Sequence, residues 1–129
     1  MLLCAVTAAI LLTALLSALA IFQLALIAGA PLGHFAWGGA DRILPPGKRR
    51  GSVLAIVIYA VIAWVMLMKA DALPAVLPMG VVTVAAWVFT VYFASGIVLN
   101  AISRRREERF AMTPVAALLT VLSFMIALG

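Results

Sequence analysis

Four long uncharged or nearly uncharged apolar runs divide this chain, and eight of its nine Lys and Arg residues fall in the two segments after the first and third runs. Arg42, Lys48, Arg49 and Arg50 occupy the first segment, Arg104, Arg105, Arg106 and Arg109 the second, and only Lys69 lies elsewhere. That alternation predicts a polytopic membrane protein. Basic loops stay in the cytoplasm during insertion, so both segments are expected on that side and both termini outside. Composition agrees: 10% of residues are charged and 67% hydrophobic, whereas a soluble domain carries about a quarter charged residues. The mean hydropathy is +1.28.

The expected fold is all-α, an up-down bundle of four transmembrane helices in a single domain. Spans are predicted at roughly 2–28, 52–68, 79–101 and 113–128, with cytoplasmic loops at 29–51 and 102–112. Crossing the hydrocarbon takes about 20 residues. The first run exceeds this, and the second, ending at Met68 just before Lys69, is short. A cleavable signal peptide is the rival reading of the first run, since Ala18 and Ala20 make a small-residue pattern. Against it, no basic segment precedes the run, and removing it would move the first basic loop outside. Thr113 and Pro114 predict the start of the fourth helix, Thr as cap and Pro in the first turn. From there to Leu128 the helix covers only about 22 Å of a ~30 Å core. The bilayer would then have to thin, or Phe110 to Met112 also be immersed. All six prolines, at 31, 45, 46, 74, 78 and 114, lie at or outside these proposed ends.

Helices associate in lipid through close approach and occasional hydrogen bonds, so small residues are the expected contacts. Ala5, Ala9, Thr13 and Ser17 recur every fourth residue in the first span, with Ala14 and Ala18 beside them. Gly96 is expected against a neighbouring helix, on the same face as Asn100 and Ser103. Asn100 and Gln23 are read as packing contacts before ligand contacts. Thr83, Thr90, Thr120 and Ser123 are expected to return their hydroxyls to the backbone.

Residues 29–51 are longer than a connection requires. They hold six of the nine glycines, the only His and one of three Trp residues. Phe35 and Trp37 suit the headgroup level, so a partly ordered segment packed at the cytoplasmic interface, a short interfacial helix or a re-entrant turn, is expected. His34 has the chemistry of a general acid or base, although a structural hydrogen bond is the simpler reading. Asp41 and Arg42 read as a local ion pair or headgroup contacts, and the Arg104–Arg109 turn, with Glu107 and Glu108, as solvated. No GxSxG, HExxH, P-loop or dinucleotide fingerprint is present. A single Cys, Cys4, excludes an intramolecular disulfide, and neither a metal site nor a cofactor is expected. The net charge of +5 sits in short connections without a basic helix face, which argues against nucleic acid and for anionic phospholipid headgroups. Any site is expected at the cytoplasmic face, built from His34, Trp37, Gly38, Gly39, Asp41 and Arg42 of the first loop with Asn100, Ser103, Glu108 and Arg109 of the second.

The segments GAPLGHFAWGG, LPPGKRRGS and NAISRRREERFAMTP resemble a family of small four-span bacterial membrane proteins. Its first loop has the form GAPxGxxxWGG followed by LP and a basic step to GS, matched by Gly29, Ala30, Pro31, Gly33, Trp37, Gly38, Gly39, Leu44, Pro45, Gly51 and Ser52. Its second is matched by Asn100, Ser103, Glu108, Arg109, Met112, Thr113 and Pro114, while the three consecutive arginines depart from a Ser-rich version. About a third of the chain is covered. The resemblance implies the four-span fold and a bacterial cytoplasmic membrane, and brings no reaction with it.

Three functions follow as expectations. The first is an accessory or scaffold subunit, within a homo-oligomer or beside a larger membrane partner, and not an enzyme. The second is a small-molecule or ion transporter, weakened because no ionisable residue falls within a predicted span. The third is an enzyme acting on a lipid headgroup, with His34 or Asp41 as acid or base and arginines holding phosphate.

Overall fold

The computed structural model describes residues 2–129, with side chains from Cys4 onward, and among them no strand occurs. Four helices account for most of the chain: α1 (Leu2–Ile27), α2 (Pro46–Lys69), α3 (Met79–Ala101) and α4 (Arg106–Leu128). Each is long and apolar enough to cross a membrane. The chain is an all-α multi-pass membrane protein, its helices running alternately up and down. Neighbours pack around the bundle in the order α1, α2, α3, α4, with α4 closing back onto α1. Both basic loops therefore lie at one end, called here the basic end.

Two helices begin earlier than hydropathy alone suggests. α2 starts at Pro46, six residues before the expected Ser52, with Pro45 as N-cap and Pro46 at N1. Pro at N1 forfeits no hydrogen bond, and its φ is already helical. Three basic residues follow at a helix N-terminus, where the dipole disfavours them. Arg49 escapes this cost by reaching back, donating from Nε to Leu44 O at 2.7 Å and from Nη1 to Ile27 O at 3.5 Å. Its charge thus meets the negative end of α1.

The larger correction concerns α4. It starts at Arg106, and Pro114 lies inside it, so Thr113 and Pro114 do not mark its beginning. Ser103 Oγ accepts the Arg105 N–H at 3.3 Å and donates to Glu108 Oε2 at 2.9 Å, while Glu107 and Glu108 put negative charge in the first turn. These contacts start the helix two turns upstream of the proline. The Thr113 hydroxyl is buried with no partner among the described residues. Pro114 removes the bond to the Phe110 carbonyl, a loss membrane helices tolerate when the rest of the ladder is intact. With 23 residues α4 is about 34 Å long, so no thinning of the bilayer is needed.

Helix ends are closed locally. Gly29 takes φ +92°, and Ala30 N–H bonds Ala25 O while Gly29 N–H bonds Leu26 O. This Schellman closure satisfies the last carbonyls of α1. Asp71, φ +63°, ends α2 the same way, through Ala72 N–H to Leu67 O and Asp71 N–H to Met68 O.

The continuous apolar core lies mainly in the half away from the basic loops. Ala5, Ala8, Ala9, Leu12 and Leu16 of α1 meet Ile62 and Met66 of α2, Ala86 and Phe93 of α3, and Leu119, Leu122 and Ile126 of α4. Ala5 and Ala9 are buried as small contact residues, but the strip then follows Leu12, Leu16 and Gln23. Ser17, Ala14 and Ala18 are exposed and Thr13 is half-buried. Thr13 and Ser17 return their hydroxyls to Ala9 O and Thr13 O, as Thr90 and Thr120 do to Ala86 O and Ala116 O. Ser123 departs from that expectation, being buried with no partner among the described residues.

Candidate functional site

At the basic end the first loop folds back over the bundle. Gly33 N–H donates to Arg42 O at 2.8 Å, closing residues 33–42 into a ring that contains two single turns of 3₁₀ helix, Gly33–Phe35 and Trp37–Gly39. Three successive residues, Trp37, Gly38 and Gly39, take left-handed φ values of 54°, 76° and 74°. For Trp37 this conformation is strained. Its side chain offsets the strain: the indole lies over Gly51 of α2, where an added Cβ would come within 2.6 Å of the ring, and its N–H donates to Ser52 Oγ at 3.1 Å.

The second loop is fastened to the first. Arg105 donates from Nε to Gly39 O at 3.0 Å, and its stem fills the space a Gly39 side chain would need. His34 Nδ1 lies 3.4 Å from Glu107 Oε2. Asp41 pairs with Lys48 of α2 and not with its neighbour Arg42, whose side chain is exposed. Arg106 and Arg109 both lie over the Phe110 ring, at 5.5 and 5.0 Å from its centroid. The two loops expected to share a site are thus in contact, with His34, Gly39 and Arg105 at the junction.

Beneath this cover is a cavity of about 420 Å³. Its floor and walls are largely apolar, with Leu19 and Phe22 of α1, Phe93 of α3 and Val115 and Leu119 of α4, and Trp37 and Gly38 form part of its rim. α2 and α3 are in contact at the far end through Val65, Met68 and Val82. Toward the basic end Ala55 and Tyr59 of α2 stand across the cavity from Tyr92, Ser95 and Gly96 of α3. Tyr92, Ser95 and Leu99 are exposed as well as lining, so the cavity opens sideways along α3.

Polar side chains that line it include Gln23, Tyr59, Tyr92, Ser95, Asn100 and Glu108. Gln23 Nε2 donates to Tyr59 Oη at 3.4 Å, while Gln23 Oε1 is buried with no partner among the described residues. Glu108 is 7% exposed and receives the Ser103 hydroxyl, and among the described residues no cation pairs with it. It is not part of a solvated turn, as the charge pattern suggested. Gly96 faces Ala116 at ordinary contact distance, with room for a Cβ, so the close approaches belong to Gly33, Gly39 and Gly51 instead. Tyr59, Tyr92, Phe22 and Phe93 were not singled out from sequence, because in an apolar run an aromatic carries no signal of which face it occupies. Glu108 was among the site residues expected from sequence, but the charge pattern around it did not show that it turns inward.

Comparison of the chain with protein-family models, with curated proteins and with solved structures finds no match. Its class rests on the fold alone, a four-helix multi-pass membrane protein with an amphipathic cavity at one end.

Proposed function

We propose that this chain is an accessory or scaffold subunit of a bacterial cytoplasmic membrane, acting in a homo-oligomer or beside a larger membrane protein. Its basic end faces the cytoplasm and both termini lie outside, since arginine-rich loops resist translocation. Exposed Arg42, Arg50, Arg104 and Arg106 would rest on anionic headgroups. The observation that carries the reading is the fastening of both loops into one ordered platform, Arg105 on Gly39 and His34 against Glu107. His34 and Asp41, the acid and base candidates of a lipid-headgroup enzyme, are both outside the lining of the cavity. Purification from native membranes in mild detergent, followed by native mass spectrometry, tests the proposal. A second copy or a companion chain is expected, and a solitary monomer would count against it.

One observation favours a second reading, small-molecule or ion transport. Ionisable groups buried in membrane helices mark substrate paths, and Glu108 belongs to α4 and lines the cavity. Flux into liposomes holding the purified protein tests it, and an impermeable liposome would set it aside.

A further inference from the structure

The cavity under the first loop combines three features. Its walls are rich in aromatic rings, Phe22, Phe35, Trp37, Tyr59, Tyr92 and Phe93, which are most of the aromatics at this end of the bundle. It contains a carboxylate, Glu108, buried and unpaired with any cation among the described residues. The arginines nearest in sequence are turned elsewhere, Arg105 to Gly39 O and Arg106 and Arg109 to the Phe110 ring. Finally, Gln23 Oε1 is a buried acceptor on the cavity wall with no donor among the described residues.

Each feature calls for the same ligand chemistry. The Ser103 hydroxyl and the N-terminus of α4 answer part of the Glu108 charge, and a cation reaching the carboxylate would neutralise the rest. Aromatic faces attract ammonium and other organic cations, more strongly when water is excluded. The Glu108 carboxylate in the lining disfavours an anionic head inside the cavity, even though the surrounding loops are basic. Its size falls within the range of small-molecule pockets, and its side opening along Tyr92, Ser95 and Leu99 faces the surface that lipid covers.

We propose that this cavity binds an amphiphilic organic cation, an ammonium or comparable positive group on an apolar body, entering from the bilayer between α2 and α3. Glu108 supplies the counter-charge, Tyr59 and Trp37 the aromatic faces, and Gln23 an acceptor. The inference goes beyond the accessory reading and does not depend on it, because binding is measured on the isolated chain whether or not a partner exists.

The test uses two probes of nearly identical shape and opposite charge, tetraphenylphosphonium and tetraphenylborate, titrated into the purified full chain in nanodiscs of zwitterionic lipid. Protein-free nanodiscs correct for partition into the bilayer. Saturable binding of the phosphonium at one site per chain is expected, at least tenfold tighter than any saturable binding of the borate. Glu108→Gln should weaken it at least tenfold, and Glu107→Gln, whose carboxylate faces His34, should leave it unchanged. Because Glu108 also receives Ser103 at the start of α4, a second variant guards against misfolding. Tyr59→Leu, in the middle of α2, should weaken binding at least threefold while the circular-dichroism melt stays cooperative. Borate binding as tightly as phosphonium, no saturable phosphonium binding, or wild-type affinity in both Tyr59→Leu and any folded Glu108→Gln would overturn the proposal.

Discussion

Arg105 donates its Nε–H to the carbonyl of Gly39 at 3.0 Å, a bond between residues 66 positions apart that joins the two basic loops. It exists because Gly39 has no side chain: the Arg105 stem lies where a Cβ would go. An arginine that looks from sequence like a topology signal is therefore also a packing element.

Gly39→Ala should cost clearly more than Gly38→Ala. Both residues have positive φ, which costs an alanine about 1–2 kcal/mol, but only Gly39 is also crowded by Arg105, Gly38 having open space. Melting in detergent should show Gly39→Ala lower by roughly 1–3 kcal/mol of added overpacking. Equal losses would mean that the Arg105 contact contributes nothing.

Gly47→Ala and Gly51→Ala should have opposite signs. Both lie in α2, where Ala is intrinsically favoured over Gly by about 1 kcal/mol. Gly47 has nothing within 4 Å of an added Cβ, whereas at Gly51 that atom would press on the Trp37 ring. Thermal unfolding should rise for the first and fall for the second, with a shift in Trp emission accompanying the fall. A stabilised Gly51→Ala would show that the indole does not sit there.

Arg49→Lys preserves charge, and with it the topology, while losing the geometry that lets one guanidinium reach Leu44 O and Ile27 O. A loss of about 1–2 kcal/mol is expected, on the scale of a hydrogen bond from a charged donor. Arg50 is exposed, so Arg50→Lys should change stability by under about 0.5 kcal/mol. Indistinguishable melts for the two variants would reduce Arg49 to a mere charge.

Pro114→Ala restores an amide to the interior of α4. Because Pro is about 3 kcal/mol less favourable than Ala inside a helix, the variant should unfold at higher temperature. A destabilised variant would argue that Pro114 sits in a first turn after all.

Orientation can be read on a Cys4→Ser background with cysteine placed at Gly47 in one variant and at Ala75 in another, both exposed positions. A membrane-impermeant maleimide applied to intact cells should label Ala75→Cys and spare Gly47→Cys until the cells are opened. The reverse pattern would invert the proposed topology.

The number of crossings was legible in the sequence because length and hydropathy are local quantities, and α3 begins and ends where the apolar run does, Met79–Ala101. The start of α4 was not, since proline suits a first turn and is also tolerated within membrane helices. Its glycines and aromatics pointed to a partly ordered first loop, but not to the turns of 33–42 or to the bond from Arg105 to Gly39. The partners were misjudged for Asp41, which takes Lys48 over the adjacent Arg42.

Alone, the sequence determined the solvent, the four spans and the gathering of basic residues at one end, each a property of consecutive residues weighed against a bilayer of given thickness. Only the tertiary structure decided that Ala5 and Ala9 are buried while Ser17 is not, that Glu108 turns inward, and that Gln23 meets Tyr59 on the wall of a cavity. A helix apolar on every side carries no stripe to say which face its neighbours cover. That choice is made by close approach between residues far apart in the chain, Trp37 over Gly51 and Arg105 against Gly39.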